Sequence, residues 1–273
     1  MTAHSSIGAS SMERWAACPG SVYLSRGVPN ESSKYAELGT AAHAVAEIAL
    51  AKFGVGVSLR SWVGNAIPYD DHGVSKEIQL TEDMAGHLQV YLDSIHKRLL
   101  EASDPKPGEM HVEHRFDMSH LHPGLYGTAD CVLWNPNTEA VSVVDLKYGS
   151  GKAVKVEGNP QLRYYALGAV LSLYPKAKSV EIVIVQPRGK HKDGPVRQEV
   201  ISPFELLEWA GDLKSAAQAV DNASGDVLSV PEDEWAGRYI SPGAHCFFCP
   251  ARRANKCPVK EKESLTSAIL DFE

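Results

Sequence analysis

The sequence predicts an α/β protein whose core follows the order helix, three strands, helix, strand. Apolar residues recur at helical spacing up to about residue 102, and the period then changes to two. A chain of 273 residues with 44% apolar and 22% charged residues can bury one sizeable core. We therefore expect a single domain over residues 1–273, with helical additions at both ends.

Two helices are expected first. Residues 35–53 are rich in Ala and Leu at helical spacing, and glycines follow the segment. The stretch after them is ambiguous. A second helix is expected over residues 80–102, with Thr81 or Asp83 near its cap.

The strands and the second core helix follow. Alternating apolar residues predict three strands, at residues 110–118, 125–135 and 140–149. The turn sequence NPNT joins the last two strands, so we expect a hairpin. A helix over residues 159–175 begins with Asn159 as its N-cap and Pro160 at its first position.

A buried strand and a long helix complete the predicted elements. Residues 178–187 are apolar and β-branched, as in strands covered on both faces. Residues 201–223 are amphipathic, and Ser202 and Glu205 have capping-box spacing.

Composition limits the function classes. The formal charge of −7 argues against a broad nucleic-acid-binding surface, because phosphate contacts need Lys and Arg. Basic residues are nevertheless bunched in QPRGKHKDGPVR and PARRANKCPVKEK, for which the alternative is a solvated loop. With no membrane-spanning stretch and no secretory signal in MTAHSSIGASSMERW, we expect a cytoplasmic protein. Five cysteines in that reducing compartment favour metal over disulfides.

The segment VVDLKYG carries the first candidate chemistry. Residues two apart in a strand share a face, so Asp145 and Lys147 lie side by side. If the preceding strand pairs as a hairpin, Asp130 of GTAD joins them. Hard cations such as Mg²⁺ or Mn²⁺ prefer such oxygen ligands. The alternative is a surface ion pair.

Two helices add further candidates. His43 lies mid-helix, one turn after Gly39, whose missing side chain would permit a close backbone approach, and Glu47 could orient its imidazole. Alternatively His43 is a core histidine and Glu47 faces solvent. Gln161 and Tyr165 place an amide and a phenol on one helix face just after the DLK strand, or form a plain surface pair.

Taken in order, GTAAH, GTAD, DLK and QLRYY resemble the RecB/AddB-like iron–sulfur branch of the PD-(D/E)XK nuclease superfamily, whose restriction-endonuclease-like core has the same element order. More narrowly, GASSMERWAACPGS with GTAAH is similar to a phage- and prophage-encoded family of formerly unknown function. A phage protein would act in the host cell cytoplasm.

The resemblance implies a role for each matching residue. Ligands for Mg²⁺ or Mn²⁺ would be His43, Asp130, Asp145 and the backbone carbonyl of Leu146. Lys147 would orient or activate the attacking water, and Gln161 and Tyr165 would support the site and the DNA strand. Glu113 is a further candidate member.

Four cysteines form the second constellation. Cys131 follows Asp130 and is expected on the opposite face, as a buried thiol. Cys18 is the remaining partner for three C-terminal cysteines, namely Cys246, Cys249 and Cys257. Iron–sulfur members of the superfamily share this arrangement of one cysteine before the core and three after it. His245 adjoins Cys246 and is a weaker candidate.

The resemblance favours a [4Fe-4S] cluster, and tetrahedral Zn²⁺ is the alternative. Either would join residues 1–34 to residues 240–260 and hold Arg252 and Arg253 near the cluster, where they could contact a phosphate backbone.

The leading hypothesis is a Mg/Mn-dependent deoxyribonuclease, an exonuclease on single-stranded DNA or duplex ends in phage replication or recombination. Replication proteins such as a single-strand-binding protein would be its partners. The alternative is a non-cleaving nucleic-acid-binding module with a structural Fe-S or Zn site. A zinc hydrolase at the cysteines is disfavoured, because four thiolates leave no open coordination position.

Overall fold

The computed structural model describes residues 5–29, 34–54, 56–71, 73–149, 151 and 153–259. Its helices are α1 Met12–Ala17, α2 Gly20–Leu24, α3 Lys34–Phe53, α4 Glu82–Glu101, α5 Pro160–Ser172, α6 Pro203–Asp226, α7 Glu232–Tyr239 and α8 Pro250–Arg253. Its strands are β1 Ala66–Asp71, β2 Val74–Gln79, β3 Glu109–Asp117, β4 Tyr126–Asn135, β5 Ala140–Leu146, β6 Ser179–Val185 and β7 Val196–Ile201. None of the described helices is long and apolar enough to span a bilayer.

The described chain divides into two compact units. The sheet unit comprises residues 34–116 and 128–206, and the terminal unit comprises residues 5–29, 117–127 and 207–259. The predicted joining of residues 1–34 to residues 240–260 by a metal cluster stays a prediction.

The sheet unit is built on a five-stranded sheet with the order β3-β4-β5-β6-β7. β4 and β5 are antiparallel, as the NPNT turn predicted, with Cys131 opposite Val144. β5 and β6 are parallel, with Asp145 beside Ile184. A parallel pair needs a crossover connection, and α5 supplies it. The predicted order of helix, three strands, helix and strand is present within this larger set of elements.

Helix caps fall where the sequence placed them. The side chain of Asn159 accepts a hydrogen bond from the backbone N–H of Leu162, with proline at the first position of α5. The side chain of Thr81 caps α4 by accepting from Met84. These caps fix the first residues of each helix, which matters most at α5 because its first turn borders the site.

One face of the sheet packs against α3 and α4. Its inward residues include Cys131, Val144 and Val183, which share a core with Val45 and Leu88 of the helices. Cys131 is fully buried in this core, so the prediction of a buried thiol on the face opposite Asp130 is confirmed. α5 contacts β5 and β6.

Three strands were not predicted. β1 and β2 form an antiparallel hairpin beside α3. β1 contains Pro68, and the hairpin is short and largely exposed, so neither apolar alternation nor a proline-free run marks it. β7 is an edge strand of mixed polarity that pairs antiparallel to β6. An edge strand has a neighbouring strand on one side only, so its sequence can be less apolar than that of a central strand.

The terminal unit packs around two tryptophans. Trp15 is fully buried, and its indole N–H donates to the carbonyl of Gly8 at 3.0 Å. The indole N–H of Trp235 donates to the carbonyl of Ala223 at 2.7 Å. Gly20 allows α2 to approach closely, since a Cβ there would lie 2.8 Å from the Trp235 ring.

Gly168→Ala is expected to destabilise the protein although alanine is the better helix former. A Cβ at Gly168 would lie 2.9 Å from the Cβ of Phe116 in β3. Overpacking costs about 1–3 kcal/mol, which exceeds the gain of about 1 kcal/mol in helix propensity. The measurement is the free energy of unfolding in urea.

The matched control is Gly86→Ala in α4, where an added Cβ meets nothing within 4 Å. This variant should gain up to about 1 kcal/mol. Equal stabilisation of both variants would contradict the packing argument.

Candidate metal centre

The site begins at the ends of β4 and β5. Nζ of Lys147 lies 2.9 Å from Oδ2 of Asp145, which is almost fully buried. The register of the β4-β5 hairpin brings Asp130 opposite Asp145. Oδ2 of Asp130 accepts a hydrogen bond from the backbone N–H of Leu146 at 2.7 Å. The prediction that the two carboxylates and the lysine share one end of the sheet is confirmed.

α3 supplies an imidazole. Nδ1 of His43 lies 3.5 Å from Oδ2 of Asp130, and the His43 side chain is 36% exposed. Glu47 is exposed, as the solvent-facing alternative predicted, and the carboxylate that contacts the imidazole is that of Asp130. Among the described residues, a Cβ at Gly39 would meet nothing within 4 Å, so the predicted close backbone approach is not found there.

β3 contributes Glu113. Single ligand atoms of His43, Glu113 and Asp130 all lie within 4.8 Å of one another. Glu113 has a φ of +46°, a conformation that costs a non-glycine residue on the order of 1–3 kcal/mol. Strained residues of this kind cluster at ligand-binding sites. In the structure Glu113 is thus one of the three residues of the candidate ligand group, although the resemblance offered it only as a further candidate member.

The carboxylates interact strongly. Burial raises the pKa of Glu113 to about 7, and the negative charge of Asp130 adds to this effect. Burial also raises the pKa of Asp145, against the opposing charge of Lys147. Burial favours the neutral form of Asp130, but the charge of His43 and the hydrogen bonds from His43 and the Leu146 amide outweigh this effect. The pKa of Asp130 is therefore lowered. Like charges in a buried site disfavour ionisation, so this group favours a bound cation or proton.

His43 balances part of that charge. Burial disfavours its imidazolium form, but the charge of Asp130, with smaller contributions from Asp145 and Glu113, raises the pKa of His43 to about 9. The imidazole is therefore protonated at neutral pH when no metal is bound. A metal ion needs the neutral imidazole and would displace this proton.

The first turn of α5 completes the site. Oε1 of Gln161 accepts a hydrogen bond from Nζ of Lys147 at 2.6 Å, and its Nε2 donates to Oδ1 of Asp145 at 3.2 Å. Tyr165 is buried one turn later on the same helix as Gln161. Burial and the charge of Asp145 raise the pKa of the Tyr165 phenol, so it stays neutral. Both predicted α5 residues therefore lie at the site.

This donor set suits a hard divalent cation. It offers one imidazole and several carboxylate oxygens, as Mg²⁺ and Mn²⁺ sites do. Oδ2 of Asp145 is buried and accepts no well-aligned hydrogen bond from the described residues, although Lys147 lies close to it. A buried oxygen of this kind is available to a metal. The carbonyl of Leu146 as a ligand stays a prediction.

Sequence reasoning missed the residues that hold the chain after Lys147. Oε1 of the buried Gln186 accepts hydrogen bonds from the backbone N–H of Val154 and from Nη2 of Arg197. Nη2 of Arg197 also donates to the Val154 carbonyl at 3.1 Å. A glutamine and an arginine buried at strand ends are the signal in the sequence, but they gain meaning only once β7 is placed beside β6.

The cysteines lie in the terminal unit. One small cavity is lined by Cys18, Cys246, Cys249 and Cys257. Among the described residues, no three of these sulfur atoms lie within 4.8 Å of one another. Tetrahedral zinc, with Zn–S bonds of about 2.3 Å, needs sulfurs about 3.8 Å apart. These four cysteines line one cavity, but their sulfur atoms are not close enough together to bind a single tetrahedral ion.

Neighbouring groups belong to the same cavity. Burial raises the pKa of Cys18, and the charges of Cys249 and Cys246 add to it. His245 also lines the cavity, and its Nε2 lies 3.0 Å from the carbonyl of Ser241. The side chain of Arg252 lines the cavity as well.

Metal binding should strengthen as the pH rises. Below about pH 9 His43 holds a proton, and below about pH 7 Glu113 does too. Because binding must displace these protons, the dissociation constant for Mn²⁺ should fall up to about tenfold per pH unit between about pH 7 and pH 9, where one proton is displaced, and up to about 100-fold per unit below about pH 7, where two are. Calorimetry in two buffers of different ionisation enthalpy would count the protons released.

His43→Gln should reduce the pH dependence to that of the one proton held by Glu113, whose pKa rises further once the nearby imidazolium charge is lost. The control is His120→Gln at an exposed histidine of the terminal unit. A dissociation constant that does not change over this pH range in the unaltered protein would contradict the assignment of His43 as a ligand.

One comparison with known proteins bears on the whole chain. Residues 4–273 match the family described as a protein of unknown function (DUF2800). The match covers the metal centre and all four cysteines of the cavity. The chain therefore belongs to the DUF2800 family.

Proposed function

We propose that this protein is a metal-dependent DNA nuclease that hydrolyses phosphodiester bonds, acting as an exonuclease on single strands or duplex ends. The observation that carries the proposal is the group of His43, Glu113 and Asp130, whose ligand atoms lie within 4.8 Å, beside the pair of Asp145 and Lys147. An ammonium group next to the carboxylates has no role in a site that only binds a cation. It does have a role where the substrate is an anion.

Lys147 is the residue best placed to act on such a substrate. A bound Mg²⁺ or Mn²⁺ would acidify a water and neutralise charge on the phosphate. Nζ of Lys147 is held between Oδ2 of Asp145 at 2.9 Å and Oε1 of Gln161 at 2.6 Å. Because its position is fixed in advance, the ammonium can orient the attacking water or stabilise charge on the phosphate with little reorganisation.

Gln161 and Tyr165 hold that geometry. Both polar atoms of the Gln161 amide are engaged, one with Lys147 and one with Asp145. This arrangement sets the direction of both side chains at once. The phenol of Tyr165 stays neutral, so it would not repel the phosphate of a DNA strand lying over α5.

DNA is the proposed substrate because the motif series resembles RecB-like nucleases. The similarity to a phage- and prophage-encoded family is the ground for proposing a role in replication or recombination, with proteins such as a single-strand-binding protein as partners. These assignments rest on the resemblance, and the chemistry of the site is compatible with them.

We propose that the four cysteines bind a [4Fe-4S] cluster. They share one cavity in the terminal unit, and their sulfurs are more widely spaced than a single tetrahedral ion requires. A cluster spreads its ligands further apart than one metal atom does. Zn²⁺ is the alternative occupant, and it would need the cavity to contract. Either occupant would stabilise the terminal unit rather than take part in hydrolysis.

Asp145→Asn and Lys147→Ala should each abolish cleavage of end-labelled DNA in Mg²⁺ or Mn²⁺. Loss of the ligand charge or of the fixed ammonium is expected to reduce the rate at least about 100-fold. The control is Lys97→Ala, at a lysine that is 75% exposed on α4. Cleavage that persists in both site variants, or the absence of any cleavage by the unaltered protein, would contradict the nuclease and favour a non-cleaving binding module.

Anaerobically purified protein should show a broad absorbance near ~400 nm, as expected of an iron–sulfur chromophore and not of zinc. Cys18→Ser should lose this absorbance and lower the melting temperature. Cys131→Ala is the control, because that thiol lies in the sheet core and should leave the absorbance intact. Stoichiometric zinc without absorbance would establish the alternative occupant.

A further inference from the structure

Two exposed phenylalanines lie next to the cysteine cavity. Phe247 is 55% exposed and Phe248 is 72% exposed. Their neighbours in the chain, Cys246 and Cys249, are buried, and so is Ala251. The two rings are therefore presented by a packed segment and are not part of a loosely folded one.

The geometry of the rings is well defined. Their centroids are 4.7 Å apart at an interplanar angle of 83°. The guanidinium carbon of Arg253 lies 5.8 Å from the centroid of the Phe248 ring, within reach of a cation–π interaction. Two ring faces and a cation are thus offered to solvent together.

The chain segment that carries the rings is positively charged. Between residues 240 and 259 it contains Arg252, Arg253 and Lys256 and no acidic residue, although the whole protein has a net charge of −7. Nη1 of Arg252 donates to the carbonyl of Cys246 at 3.5 Å, and within the part of the chain that the structure describes neither arginine is paired with a carboxylate. We call these three residues, with Phe247 and Phe248, the aromatic–basic patch.

We propose that the aromatic–basic patch is a stacking platform for single-stranded nucleic acid. The inference rests on the proposed function only in taking a nucleic acid as the ligand. Unpaired bases would stack on the exposed faces of Phe247 and Phe248, and Arg253 and its neighbours would contact the phosphates. Duplex DNA hides its base faces and cannot use the rings.

The charge argues for this occupant. Basic residues without an acidic residue between 240 and 259 favour a polyanion over a protein surface of low net charge. A polyanion with accessible base faces uses both features, and aromatic rings between basic side chains are the usual way of holding a single strand without regard to its sequence. Basic side chains without a carboxylate partner in the described part of the chain, together with the exposed rings, thus point to one ligand.

The test is binding measured without metal ions, so that it does not depend on cleavage. Fluorescence anisotropy with a labelled oligothymidine of about 20 nucleotides, in EDTA, would compare the full chain with Phe247→Ala and Phe248→Ala. Each variant should bind about tenfold more weakly, as expected for the loss of one stacked base. Phe248→Trp should retain or increase the affinity, which shows that the fold is intact.

The matched control is Phe204→Ala, at a phenylalanine that is 79% exposed and lies in the sheet unit. Its affinity should not change. Arg253→Ala should reduce the slope of log affinity against log salt by about 0.7, the value for one phosphate contact on a single strand.

Two results would overturn the platform: equal affinity of the Phe247, Phe248 and Phe204 variants, or an equal loss of affinity for duplex DNA. The nuclease is judged separately. If metal-supported cleavage is observed but the phenylalanine variants bind single strands normally, only the stacking platform is overturned. If binding depends on the aromatic–basic patch but no cleavage is observed, only the nuclease is overturned.

Discussion

The hydrogen bond from the Leu146 backbone to the Asp130 carboxylate sets the geometry on which the site depends. The backbone N–H of Leu146 donates to the side chain of Asp130 and not to a backbone carbonyl of β4, so the β4-β5 ladder ends at a carboxylate. The same oxygen faces His43. One interaction therefore ends the hairpin, fixes Asp130 opposite Asp145 and orients the imidazole. The site is a continuation of the sheet, and its precision comes from strand pairing rather than from loops.

The charges at this site are balanced in two different ways. On one side, His43 carries a proton that neutralises part of the carboxylate group; on the other, Lys147 pairs with Asp145 and is fixed by Gln161. Under the proposed function, a divalent ion would replace the proton on His43, while Lys147 would keep its place and face an anionic substrate. Metal occupancy and stability would then be linked.

The sequence predicted most of what local rules control. The NPNT turn identified the hairpin, Asn159 and Pro160 marked the start of α5, and alternation placed Asp145 beside Lys147. The rest depends on distant contacts. β7 is recognisable only when β6 lies beside it. The place of Glu113 within the ligand group depends on a left-handed residue in mid-strand, which no period or propensity encodes. For Gly39, the sequence suggested a close contact that the described residues do not make.

The interleaved composition of the two units has a consequence for synthesis. All the residues of the metal centre lie between His43 and Tyr165, and the sheet unit is complete once residue 206 has left the ribosome. The terminal unit needs residues 5–29 and 117–127 together with residues 207–259, so its first segment is made long before its last. Because domains fold as units once their residues are available, the sheet unit can form before the first segment of the terminal unit has its partners. Cys18 is thus made before the sheet unit, and the cavity that it lines forms after it.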